Sequence, residues 1–150
     1  MRTACLIFAL AYPVVAWAQE APKPATEFTK AANAKVLEAL PFADRRDFDN
    51  AQRGLIDRPE TLTIKDANGK VVWDLETYKT YIGLDTAAPD TVNPSLWRNA
   101  QLNMQYGLFK VTDDIYQVRG YDLANMTFVK GDTGWIVFDT LQSTETAKAA

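Results

Sequence analysis

The sequence predicts a mixed fold, α+β or α/β, with a helical and hairpin first half followed by a run of strands. Three observations carry this. Apolar residues recur every four positions across residues 26–40, the spacing of one helix face. After Gly107 the pattern changes to short apolar runs separated by Asp and Gly, the punctuation of strands and turns. Residues 135–138, Trp-Ile-Val-Phe, are apolar without alternation, as expected of a strand covered on both faces, and a helix start follows closely. A helix directly after such a strand predicts a layered sandwich.

The chain opens with a segment that reads as an export signal, residues 1–18. Arg2 supplies the positive end, the run from Ala4 to Ala16 is almost unbroken in apolar character, and Ala16-Trp17-Ala18 fits a cleavage site before Gln19. The run is shorter than the ~20 residues that span a bilayer, and Pro13 interrupts it. Cleavage therefore leaves no stable membrane span, and the expected location is periplasmic or secreted. Cys5, the single cysteine, falls inside this signal, so the mature chain has neither a disulfide nor a thiolate metal site. The formal charge of −3 is spread over interspersed acids and bases, which excludes the basic face of a nucleic-acid binder.

Residues 19–25 form a proline-bearing spacer. The first helix then places Phe28, Ala32, Val36 and Leu40 on one face and stops at Pro41. A second helix starts at Asp44, a candidate N-cap, with Phe48, Ala51 and Leu55 facing one way and Gly54 able to end it in a left-handed conformation. Arg45-Arg46 reads as a solvated pair in preference to an anion site. Residues 62–64 and 71–73 flank Asp66-Ala-Asn-Gly69 and predict a hairpin. Asp74 caps a short helix over residues 75–82, closed by Gly83, and Trp73, Tyr78 and Tyr81 read as packing aromatics. Residues 84–92 have turn composition and form the best internal boundary. Asn93-Pro94 opens a helix with Leu96, Trp97, Ala100 and Met104 in a stripe, ended by Gly107. Four strands follow, over residues 108–111, 115–118, 126–129 and 135–138, and Ser143 caps a final helix from Thr144.

The chain contains no histidine, so neither a histidine zinc site nor a Ser-His-Asp or Cys-His arrangement is available. Gly131-Asp-Thr-Gly134 reads as a hairpin turn, because a strand and not a helix follows it. The carboxylate pairs Asp113-Asp114, Asp44/Asp47 and Asp132/Asp139 read as turn and cap residues. Asp139 carries more weight, since it stands at the carboxyl end of an apolar strand, where α/β folds gather ligands. The alternative for Asp139 is an N-cap or turn acceptor.

Several blocks in order resemble the amino-terminal part of bacterial alkylsulfatases. They are Phe42-Ala-Asp-Arg-Arg-Asp-Phe-Asp-Asn-Ala-Gln-Arg-Gly54, Val71-Val-Trp-Asp74, Asp90-Thr-Val-Asn-Pro-Ser-Leu-Trp-Arg98, Gly107-Leu-Phe-Lys-Val, Ile115-Tyr-Gln-Val-Arg-Gly120, Asn125-Met-Thr-Phe and Gly131-Asp-Thr-Gly-Trp-Ile-Val137. Thr140 departs from the pattern, where proline is expected after the aspartate.

The resemblance implies a secreted, zinc-dependent enzyme of metallo-β-lactamase fold that hydrolyses alkyl sulfate esters such as dodecyl sulfate, and a homodimer. It implies an amino-terminal arm over residues 19–106 and, over 107–150, the first strands of an incomplete αββα sandwich. The family's two zinc ions sit on a His-x-His-x-Asp-His motif expected after the next helix and strand, and would make a bound water hydroxide near neutral pH. This stretch then carries no catalytic residue and no metal ligand, binds no zinc by itself and is inactive alone, with Asp139 a structural residue beside the metal pocket. Two other readings stay open: a short exported binding protein without catalysis, and a hydrolase of the same fold acting on another ester or a lactam.

Overall fold

The computed structural model describes residues 23–150; the export signal expected over residues 1–18 lies outside them. Helix α1, Glu27–Ala39, starts at Thr26, whose hydroxyl accepts the Thr29 amide at 3.2 Å. It ends at Leu40, held extended ahead of Pro41. None of its residues is buried, so the apolar face that the spacing predicts is uncovered, with Phe28 83% exposed. Its attachment is polar: the Asn33 side-chain amide donates to the carbonyls of Asp90 at 2.8 Å and Val92 at 3.2 Å.

Helix α2, Arg46–Gln52, buries Phe48, and the Asp44 carboxylate accepts the Arg46 amide from just outside the helix. Gly54 takes the left-handed conformation, φ 77°. Leu55 corrects the sequence reading, because it leaves the helix and opens strand β1, Leu55–Asp57. Three residues are too few to show a strand period.

Strands β2, Thr63–Lys65, and β3, Val71–Asp74, form the predicted hairpin, with the Asp66 carboxylate accepting the Asn68 and Lys70 amides. Asp74 caps α3, Leu75–Lys79, which ends before Gly83 is reached. Asn93 caps α4, Pro94–Asn103, and the helix closes at Met104. Gly107 therefore does not end that helix; it opens β4, Gly107–Lys110.

Strands β5, Ile115–Arg119, β6, Met126–Lys130, and β7, Trp135–Phe138, complete a sheet ordered β1-β4-β5-β6-β7, antiparallel throughout. The fold is α+β. The final helix α5, Thr144–Ala149, packs against β2 and β3.

Strand β7 contradicts the expectation of cover on both faces. Trp135, Ile136, Val137 and Phe138 are each 42–58% exposed, because β7 is the sheet edge and no second layer lies over it among the described residues. The core sits elsewhere, where Leu62, Ile64 and Leu75 meet Tyr106, with Trp73, Met104 and Tyr121 packed around them. The Trp73 indole N–H donates to the Gly120 carbonyl at 2.8 Å, fixing the hairpin to the sheet. Tyr78 and Tyr81, expected as packing aromatics, pack on each other at the surface, their ring centroids 5.8 Å apart and their planes tilted by 56°. Among the described residues no helix is long and apolar enough to cross a membrane.

Candidate functional site at the carboxyl end of the last strand

Antiparallel register decides which loops meet. Val118 pairs with Met126 and Thr127 with Phe138, so the end of β5, the start of β6 and the end of β7 share one edge of the sheet. The loop of residues 120–125 and the loop of residues 139–143 both leave from this edge.

The second loop is backbone-strained. Asp139 and Leu141 have φ of 60° and 67°, and left-handed geometry costs a non-glycine residue about 1–2 kcal/mol. Two local devices hold it. The Asp139 carboxylate accepts the Leu141 amide at 2.8 Å, an Asx turn that aspartate forms readily. Ser143 and Thr146 then form a capping box, with the Thr146 amide donating to the Ser143 hydroxyl at 3.0 Å. Asp139 itself is exposed, and in this structure its carboxylate is a turn acceptor.

The third device comes from the neighbouring loop. Asp122 is 8% exposed, and its carboxylate accepts the Leu123 amide at 2.6 Å, the Gln142 amide at 2.9 Å and the Thr146 hydroxyl at 2.8 Å. Burial pushes this carboxyl up, but the three hydrogen bonds together outweigh burial and hold it below its ordinary range. Sequence reasoning missed Asp122. An aspartate two residues after a glycine reads as one more turn residue, and its partners lie 20 and 24 positions away.

The other candidate carboxylates disperse. Arg98 takes the Asp47 carboxylate, donating to both its oxygens at 2.8 and 2.6 Å and to the backbone carbonyls of Phe42 and Asp44. Arg98 thereby pins α4 to α2 and holds the Asp47 carboxyl below its usual range through those bonds. Arg45 pairs with Asp85 and Arg46 with Asp44, so the two arginines do not share an anion site. Asp113 pairs with Lys110, and Asp132 lies in the β6–β7 turn, at the opposite end of β7 from Asp139. Among the described residues no three His, Cys, Asp or Glu side chains converge on a point that would hold a metal ion. The side chains of the described residues do not fit a two-zinc centre.

No protein-family model matches the chain. Individual proteins do. The chain is 53% identical over 141 residues, 94% of its length, to an (R)-specific secondary-alkylsulfatase of Pseudomonas sp., and 54% identical over 134 residues to a linear primary-alkylsulfatase of Pseudomonas sp.. It is 50% identical over 120 residues to the alkyl/aryl-sulfatase BDS1 of Saccharomyces cerevisiae. The solved structure of the stereoselective inverting sec-alkylsulfatase Pisa1 from Pseudomonas sp. superposes with a TM-score of 0.75 at 55% identity, over 85% of this chain. The chain is homologous to the alkylsulfatases. It spans about a fifth of their length: 21%, 20% and 18% of the three curated relatives and 20% of the Pisa1 chain. The alkylsulfatase likeness extends beyond the five-stranded sheet, since 94% of the chain aligns and α1, the β2–β3 hairpin and α4 all lie outside that sheet.

Proposed function

We propose that this chain supplies the amino-terminal part of an exported, zinc-dependent alkylsulfatase that hydrolyses alkyl sulfate esters to alcohol and sulfate, working as a homodimer in the periplasm or outside the cell. The observation that carries this reading is identity above one half to a secondary-alkylsulfatase along 94% of the chain. The segment's part in the reaction is positional. It builds an antiparallel half-layer, leaves one sheet face uncovered for the remainder of the fold, and delivers the loop at Asp139 to the edge where reactive groups gather. The metal ligands and the groups that hold sulfate belong to residues outside this segment.

A chimaera tests it. Residues 23–150 replace their counterpart in the Pseudomonas (R)-specific secondary-alkylsulfatase, and alkyl sulfate hydrolysis and dimerisation are measured. The expected outcome is an active, zinc-loaded dimer, with the 150-residue chain alone showing no dodecyl sulfate hydrolysis and no stoichiometric tight zinc. A folded but inactive chimaera, or tight zinc binding by the chain alone, would falsify the reading. The export component is checked separately, by sequencing the mature amino terminus after expression in a Gram-negative host. Gln19 is expected there.

A further inference from the structure

The loop of residues 139–143 contains two left-handed non-glycine residues, and a conformation of that kind persists only where the surroundings over-determine it. The Asx turn at Asp139 and the capping box at Ser143 are both local and exist only once the loop has its shape. Asp122 is different. It belongs to another loop, is nine-tenths buried, and reaches across the sheet edge to the Gln142 amide at 2.9 Å and the Thr146 hydroxyl at 2.8 Å. Its other oxygen is anchored by the Leu123 amide at 2.6 Å. Thr146 is the most completely buried polar residue described, at 2% exposure, so the contact is shielded from water. Gln142 adjoins the strained Leu141, and Thr146 lies in the first turn of α5 that follows the loop.

We propose that Asp122 is a positioning residue for the hydrolytic reaction. It clamps the strained loop after β7 and the first turn of α5, setting where Asp139 stands and the direction in which the chain proceeds from the reactive edge. It touches no reacting atom. The part concerning the reaction rests on the alkylsulfatase reading above; the clamp itself does not. The stereochemistry of the hydrogen bonds makes the claim specific. A carboxylate offers acceptors on both oxygens, whereas an amide of the same shape offers one. Asp122→Asn must therefore lose either the Leu123 anchor or the Gln142–Thr146 arm while leaving the local volume unchanged. Thr146→Val removes the hydroxyl and Thr146→Ser keeps it.

Hydrogen exchange followed by NMR on the 150-residue chain, and steady-state kinetics on the chimaera, test the two parts separately. Asp122→Asn and Thr146→Val are expected to speed exchange of the Gln142 amide about tenfold or more, with the amides of β4 to β6 unchanged and Thr146→Ser close to wild type. In the chimaera, Asp122→Asn is expected to lower kcat about tenfold with KM within about twofold, the signature of misplacement without lost substrate binding. Wild-type Gln142 exchanging at the rate of an unfolded chain, or unchanged in both variants, overturns the clamp. Faster exchange with kcat unaltered overturns the positioning role. An inactive wild-type chimaera removes the alkylsulfatase reading and leaves the clamp to be decided by exchange alone.

Discussion

Single residues hold this fold at points where backbone meets backbone. Gly54 is the clearest case. Its φ of 77° suits glycine, and a Cβ there would collide with the Lys110 carbonyl oxygen, which belongs to the backbone and has no side-chain freedom to yield. The same glycine carbonyl accepts the Lys110 amide at 2.7 Å, so the collision falls on the seam joining α2 to the sheet. Gly54→Ala is expected to cost about 3 kcal/mol in urea unfolding with an unchanged denaturant slope; a loss below about 1 kcal/mol would show that the seam tolerates displacement. Arg98 is the second such point, tying Asp47 and two carbonyls. Removing it leaves those acceptors without their donor, and Arg98→Met is expected to lower the melting temperature by about 5–10 °C. The pH dependence follows from the sign of the Asp47 shift. Its carboxyl is held below the unfolded value by Arg98, so its stabilising contribution is complete above the ordinary carboxylate range. That contribution is lost as pH falls from about 4 toward the folded-state pKa. Asp47→Asn is expected to flatten this acid limb in melts taken between about pH 5 and 2, and an unaltered limb would assign it to other carboxylates.

At the level of elements, what the sequence made legible depended on whether the signal was local. The hairpin at Asp66–Gly69, the caps at Asp74, Asn93 and Ser143, and the strands from β4 to β7 are all written in turn and cap chemistry within four residues, and all form. Strand β1 was not legible, because its three residues acquire strand geometry from pairing with β4, more than fifty positions away. Asp122 was illegible for the same reason. The apolar run in β7 is a signal of composition, and composition alone does not say whether a covering layer is present. Here both faces are open, with Trp135 and Val137 on the side of Leu108, Tyr116 and Phe128, and Ile136 and Phe138 on the other. Among the described residues its outer edge has no hydrogen-bonded neighbour strand. An unpaired apolar edge templates association. The isolated chain is expected to self-associate at micromolar concentration, and Ile136→Lys to shift it toward monomer in sedimentation velocity. Equal sedimentation of both proteins would place the association surface elsewhere, for example on the uncovered face of α1.

For the molecule as a whole, the question is whether the arm expected over residues 19–106 and the strands after it are separable. Three links cross that line. Strand β1 from the first half hydrogen-bonds to β4 from the second, and the Trp73 indole binds the Gly120 carbonyl. Tyr121 from the second half likewise packs against the buried cluster of Leu62, Ile64, Leu75 and Tyr106 in the first. The sheet after Gly107 lacks a second layer of its own among the described residues, so its buried side chains, Phe109 and Val118 among them, rely on what the first half lays against them. A domain needs an independent core, and here the buried cluster lies in the first half with the second docked on it through Tyr121. Unfolding of residues 23–150 is therefore expected as a single transition, with tryptophan fluorescence and far-ultraviolet circular dichroism coincident. Residues 107–150 alone are expected to give the narrow amide dispersion of an unfolded chain. Two resolved transitions in the longer chain, or a dispersed spectrum from the shorter one, would show that the strands fold first and that the arm is an attachment.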